Sequence, residues 1–127
     1  MKWAHGVATL LGTLLVACTS PQNEGADLVS RIGGPTLVAD AALLRKYVST
    51  AAPVVVPRSS WPTAIRELQP QDVRVVSEGV FVQRWKRFVE EEGVFIAFAG
   101  VNVDTGSGKD PSFSELAPQV YWYRVKG

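Results

Sequence analysis

Val73-Arg74-Val75-Val76-Ser77-Glu78-Gly79-Val80-Phe81-Val82-Gln83-Arg84-Trp85 reads as two strands around a turn. β-Branched and aromatic residues dominate both arms, as a pleated, half-buried surface favours. Ser77-Glu78-Gly79 reads as a three-residue hairpin loop, with glycine available for positive φ. Working outward, Phe88 to Glu92 leads through Gly93 into a further apolar run, Val94-Phe95-Ile96-Ala97-Phe98. A long Gly/Ser/Pro loop, residues 102–118, separates it from Val120-Tyr121-Trp122-Tyr123-Arg124-Val125.

Upstream of the hairpin the period changes. Leu37, Ala41, Leu44 and Val48 fall on one helical face, which predicts a helix over residues 36–50. Asp40 lies in its first turns, where the helix dipole favours a carboxylate. Ser59 to Leu68 reads as a short helix, capped by a serine, with Pro62 in the first turn and Pro70 beyond its end. Pro53-Val54-Val55-Val56-Pro57 is extended, and the flanking prolines make it an edge strand or a packed connector. Helices placed before an antiparallel run give an α+β class, a small β-meander of about four strands packed by one or two helices.

The first 18 residues follow another logic. Lys2 precedes an apolar stretch, Val7 to Val16, too short for a spanning helix, which needs about 20 apolar residues. It fits a cleaved export signal. Its end, Leu15-Val16-Ala17-Cys18, resembles the lipobox of bacterial lipoproteins. The resemblance implies cleavage between Ala17 and Cys18, a diacylglyceryl thioether on Cys18, and a palmitate-type acyl anchor. Two or more acyl chains hold stably to a bilayer. In lipoproteins an aspartate after the cysteine marks inner-membrane retention. Thr19 stands there, which implies the periplasmic face of the outer membrane. The expected organisation is a signal over 1–17, a lipidated Cys18 with a flexible tether over 18–35, and one globular domain over 36–127. The stretch from Pro57 to Gly127 further resembles a family of small uncharacterised bacterial proteins. It does so through Trp61-Pro62, Ala64-Ile65-Arg66, Glu78-Gly79-Val80, Glu91-Glu92-Gly93-Val94-Phe95, Asp110-Pro111-Ser112 and Val120-Tyr121-Trp122-Tyr123-Arg124. This resemblance implies one compact domain and no particular activity.

Composition narrows the chemistry. The chain has one cysteine and one histidine, with a formal net charge of +1. Cys18 is the lipidation candidate and His5 lies in the signal. The domain therefore lacks the parts of Ser-His-Asp or Cys-His catalysis and of zinc sites built on histidine or thiolate. No disulfide can form either. Near-neutral charge argues against a nucleic-acid partner, which needs a basic stripe or patch. No cofactor is expected.

Several short motifs fail on inspection. Asp104-Thr105-Gly106 has the form of an aspartic-protease turn, but that chemistry needs two aspartates sharing a proton. Asp104 to Glu115 has the length of a calcium loop, yet Gly106, Gly108 and Lys109 occupy positions that need oxygen ligands or glycine elsewhere. A weak site using Asp104, Asp110 and carbonyls is the most that the stretch offers. Gly106-Ser107-Gly108-Lys109 lacks the earlier glycine and the Ser/Thr of a phosphate loop. Glu90-Glu91-Glu92 reads as a solvated turn. Gln83-Arg84-Trp85-Lys86-Arg87-Phe88 interleaves cations and aromatics. With Trp122 it supplies the candidate binding surface: Arg84, Trp85, Lys86, Arg87 and Trp122.

The leading expectation is a lipid-anchored periplasmic binding module without a catalytic role, meeting an envelope protein or peptidoglycan. An immunity lipoprotein blocking a periplasmic toxin is its more specific form. A carboxylate-dependent hydrolase of wall glycans is the alternative. It requires two carboxyl groups, among Glu78, Glu91, Glu92, Asp104, Asp110 and Glu115, about 5–9.5 Å apart across one cleft. A structural envelope component is the third.

Overall fold

The computed structural model describes residues 19–127. The expected signal over residues 1–17, the expected Ala17–Cys18 cleavage site and the candidate lipidation residue Cys18 lie outside the described residues. Among those described, the order is α1 (Pro21–Ile32), α2 (Gly34–Leu43), β1 (Val54–Val55), α3 (Thr63–Glu67), β2 (Asp72–Val76), β3 (Gly79–Arg87), β4 (Glu90–Ala97), β5 (Ser112–Ala117) and β6 (Val120–Val125). The class is α+β. One antiparallel sheet runs β1-β2-β3-β4-β6-β5.

The sheet has six strands rather than four. Val54–Val55 pairs at one edge, where its flanking prolines are tolerated. The other addition is β5, inside the stretch read as loop; Ser112 to Ala117 pairs with β6 as the opposite edge. Val76 lies opposite Gly79, so the β2–β3 turn has two residues, Ser77 and Glu78, rather than three.

The described part of the expected tether, residues 19–35, is largely helical rather than flexible. Pro21–Ile32 is helical, and the sequence around it explains why. Ser20 Oγ accepts the Asn23 N–H at 3.2 Å as an N-cap. Pro21 occupies the first turn, where no internal bond is lost, and Glu24 faces the positive end of the dipole. Gly33, at φ 99°, ends the helix. Gly25, which looks like a breaker, sits on the indole of Trp122; a Cβ there would lie 2.2 Å from Cζ3.

The helix expected over 36–50 starts earlier and tightens. It begins at Gly34 and gives way to a 3-10 turn over Leu44–Tyr47. Its stripe is buried as expected at Leu37, Ala41 and Leu44. Asp40 serves a different end from the one its position suggested. It accepts the Ala64 N–H at 2.8 Å and so caps α3, where no residue of the segment itself does.

All three helices lie on one face of the sheet. Val73, Val75, Val80, Val82, Val94, Ile96, Val120 and Trp122 point toward them, with Leu37, Leu44, Ile65 and Leu68 opposite. Arg84 is the extra residue of a bulge, since Gln83 faces Gly93 whereas Trp85 faces Glu92. The bulge brings backbones close. A Cβ on Gly93 would lie 2.1 Å from the Val82 carbonyl oxygen, so glycine sits inside β4 rather than before it.

Candidate functional site

Strand alternation sends a second set of side chains to the helix-free face: Phe81 from β3, Phe95 and Ala97 from β4, Phe113 from β5, Tyr121 and Tyr123 from β6. The rings form one cluster. Phe81 lies 4.5 Å from Phe95 and 4.9 Å, edge-on, from Tyr123. Phe113 lies 5.3 Å from Phe95 and 6.4 Å from Tyr121. Such tilted and edge-on contacts suit the ring quadrupoles. Val101 and Val103, from the segment joining β4 to β5, pack against this cluster. They leave a depression of about 290 Å³ lined by Val76, Phe81, Phe95, Val101, Val103 and Phe113, with Glu78 and Asp104 at its mouth.

A polar knot closes one end of the aromatic face. Glu91 accepts from Arg74 at 2.6 Å and from the Tyr123 hydroxyl. Arg74 also stacks over Phe81 at 5.0 Å. Burial opposes charge on Glu91, but the hydrogen bonds from Arg74 and Tyr123 outweigh it and hold the carboxyl below its usual range. Burial, then the Glu91 charge, pushes the Tyr123 hydroxyl far above the ordinary phenol range. The knot is therefore an ionised Glu91–Arg74 pair with a neutral tyrosine donor.

Glu92 faces the other way. Its Oε1 accepts the Trp122 indole N–H at 3.0 Å and two Arg124 donors at 3.2 Å. Glu91 and Glu92 are thus buried in a strand, not a solvated turn. An arginine and an aromatic donor partner each of them, which is what permits burial. Adjacent positions on one strand put them on opposite faces, so they do not share a cleft. Asp104 accepts the Gly106 N–H at 2.8 Å and pairs with Lys109. The Lys109 contact, then Gly106, hold its carboxyl below the usual range. Asp110 accepts the N–H groups of Lys126 and Gly127. The two aspartates of that stretch are thus engaged separately, Asp104 within its own turn and Asp110 at the end of β6. Among the described residues no three His, Cys, Asp or Glu side chains group to hold a metal ion.

The predicted surface divides. Trp122 is 2% exposed beneath Gly25, and so is removed from it. Arg84 is removed too. The bulge turns it inward, with 8% of its side chain exposed; Nε donates to the Leu68 carbonyl at 2.7 Å and a terminal nitrogen reaches Glu24 at 3.0 Å. Trp85 is half-buried and lines a second depression of about 290 Å³ with Glu90, Glu92, Arg124 and Lys126. Lys86 and Arg87 are exposed at the β3–β4 hairpin end. Beyond them Phe88 and Val89 form the turn, 85% and 69% exposed.

The sequence reading missed Phe81, Phe95, Phe113 and Val103. A signal was present, since β3 and β4 carry apolar residues at both parities: Val80 and Val82 against Phe81, Val94 and Ile96 against Phe95. A strand buried on both faces reads that way. Among the described residues no helix is long and apolar enough to cross a membrane. The chain matches no family model, no curated protein and no solved structure.

Proposed function

We propose that the chain is a lipid-anchored binding module of the bacterial envelope without a catalytic role. Acyl chains on Cys18 fix it to the periplasmic face of the outer membrane, and its helix-free aromatic face receives an apolar side chain from an envelope protein. The observation that carries the reading is the depression between Phe81, Phe95 and Phe113 under Val101 and Val103. It is an apolar recess with carboxylates at its mouth, the form of a site that anchors one side chain of a partner. Glu91 and Glu92 are each committed to an arginine, and of the two carboxylates that share the depression Asp104 is paired with Lys109 and Glu78 accepts from Ser77, which supports a binding role over acid–base work.

Two measurements test it. Cys18→Ser abolishes metabolic acyl labelling; persistent labelling overturns the anchor. A photo-crosslinking residue at Val103 gives one adduct of defined mass in growing cells, lost with Val76→Arg, while the same residue at Ala42 on the helical side gives none. Equal adducts at both positions, or none at Val103, refute the aromatic face as the contact.

A further inference from the structure

The helix that replaces the tether has a direction. Gly34, just past the end of α1, lies beside Ala117 and Val120; Gly25 lies beside Trp122. Traced back toward its start, α1 therefore climbs along β6 toward Arg124. Glu24, in its first turn, reaches Arg84 at the root of the β3–β4 hairpin. Pro21 is thus at the hairpin end of the molecule. Cys18 precedes Pro21 by three residues, a span of at most about 11 Å even fully extended. An acyl group on Cys18 therefore keeps the start of α1 within about 11 Å of the anchored residue, which brings the hairpin end nearest the lipid.

That end is built unlike the rest of the surface. Phe88 and Val89 form the β3–β4 turn and are the two most exposed large apolar side chains among the described residues. Phe88 is held at φ 55°, a conformation that bulky side chains rarely adopt. The residue is 85% exposed among the described residues, with the Arg87 guanidinium over its ring at 5.9 Å. Lys86, Arg87 and Lys126 stand exposed around the pair, with Gly127 against Val89. Arg124 and the half-buried Trp85 lie one step behind. Two apolar side chains at a tip, flanked by three exposed cations against one exposed carboxylate, Glu90 opposite Arg87, and backed by an indole, have the composition of the polar–apolar boundary of a membrane.

Resting on the lipid-anchored reading above, we propose that the β3–β4 hairpin tip docks on an anionic phospholipid surface. Phe88 and Val89 enter the headgroup–acyl boundary, and Lys86, Arg87 and Lys126 meet lipid phosphates. The acyl chains then fix position and the hairpin fixes orientation. The aromatic recess, lined by Val103 and Phe113, is carried on a side of the sheet that stands off the bilayer.

The test uses the full acylated chain carrying Phe88→Cys. Acylation consumes the Cys18 thiol, so an environment-sensitive dye reacts only at position 88. The labelled protein is reconstituted in phosphatidylglycerol/phosphatidylethanolamine vesicles and in phosphatidylcholine vesicles. Val89→Cys serves as a second tip position. Leu43→Cys is the control, an exposed apolar site where the chain turns toward Phe98 at the opposite end of β4. The expected result is a blue shift and quenching by lipid-borne quencher at positions 88 and 89. It is larger in the anionic vesicles, reduced by salt and by Lys86→Glu with Arg87→Glu, and absent at 43. Mass measurement of the same samples reports acylation at Cys18. An acylated chain whose tip dye behaves like the dye at 43 overturns the docking alone. So does a tip that is shielded in native envelopes yet solvent-exposed on pure lipid, because a protein then covers it. A free Cys18 thiol overturns the anchor reading and the docking with it.

Discussion

Gly25→Ala asks whether α1 is seated on the sheet or hangs as a leash. In an unpacked helix the change stabilises by about 0.8–1 kcal/mol. Here the new Cβ falls 2.2 Å from Cζ3 and 2.8 Å from Cε3 of Trp122. That indole cannot swing aside freely, since it is buried and its N–H is bonded to Glu92. Forcing a methyl into such a site costs about 1–3 kcal/mol. If the ring yields instead of the helix, the lost bond to a charged acceptor costs a further 1.5–3 kcal/mol or so. At a 2.2 Å approach the upper end applies, about 3 kcal/mol, so after subtracting the propensity gain the expected net loss is about 2 kcal/mol, and more if the Trp122 bond is lost as well. In a domain of this size that lowers Tm by roughly 5–15 °C. Thermal unfolding followed by tryptophan fluorescence measures it, with Ser30→Ala on the exposed side of α1 as a control that leaves Tm unchanged or raises it. A Gly25→Ala protein as stable as the parent would show that α1 does not rest on Trp122. It would also remove the geometric basis for placing Cys18 at the hairpin end.

Three further outcomes follow from the same contacts. The Glu91 carboxyl is held below its unfolded value, so its contribution to stability is fully present above about pH 4.5 and is lost as pH falls through the lower folded value; Glu91→Gln flattens the acid limb of a Tm-against-pH curve, and an unchanged limb refutes the ionised knot. Arg84→Lys removes the guanidinium bond to the Leu68 carbonyl and costs about 1.5–3 kcal/mol by urea unfolding, whereas Glu24→Gln, which breaks only a half-exposed pair, costs less than about 1 kcal/mol. Equal losses would mean that the ion pair, not the carbonyl, holds Arg84. Asp40→Ala strips α3 of its only side-chain cap and lowers stability by about 0.5–2 kcal/mol; hydrogen exchange at Ala64 should accelerate first, and unaltered protection there counts against the cap.

Local pattern carried most of the architecture. The Val73–Trp85 hairpin, the Leu37/Ala41/Leu44 stripe and the proline-flanked edge at Val54 are periodicity and turn chemistry acting at short range. What escaped depends on contacts between distant segments. Pro21 and Gly25 look like breakers because nothing nearby in the sequence shows that Pro21 is a first-turn residue or that Trp122 needs a glycine above it. Glu91 and Glu92 look like a solvated charge run because their arginines, Arg74 and Arg124, lie on neighbouring strands. Arg84 looks like a surface cation because a one-residue bulge decides which way it turns. The candidate site was legible in part. Lys86 and Arg87 are exposed and Trp85 half-buried, whereas Trp122 is core and the aromatic recess needs three strands to assemble before it exists.

The seating of Gly25 on Trp122 also sets an order in time. The first described helix rests on the last strand, so α1 has no seat until almost the whole chain is available. On the lipid-anchored reading, the modifying and cleaving enzymes meet the region of Cys18 while that seat is still missing. They act before α1 is packed on the sheet. Completion of β6 then draws α1 in, and a chain that was processed before the helix was seated becomes too short to let the finished domain drift from the membrane.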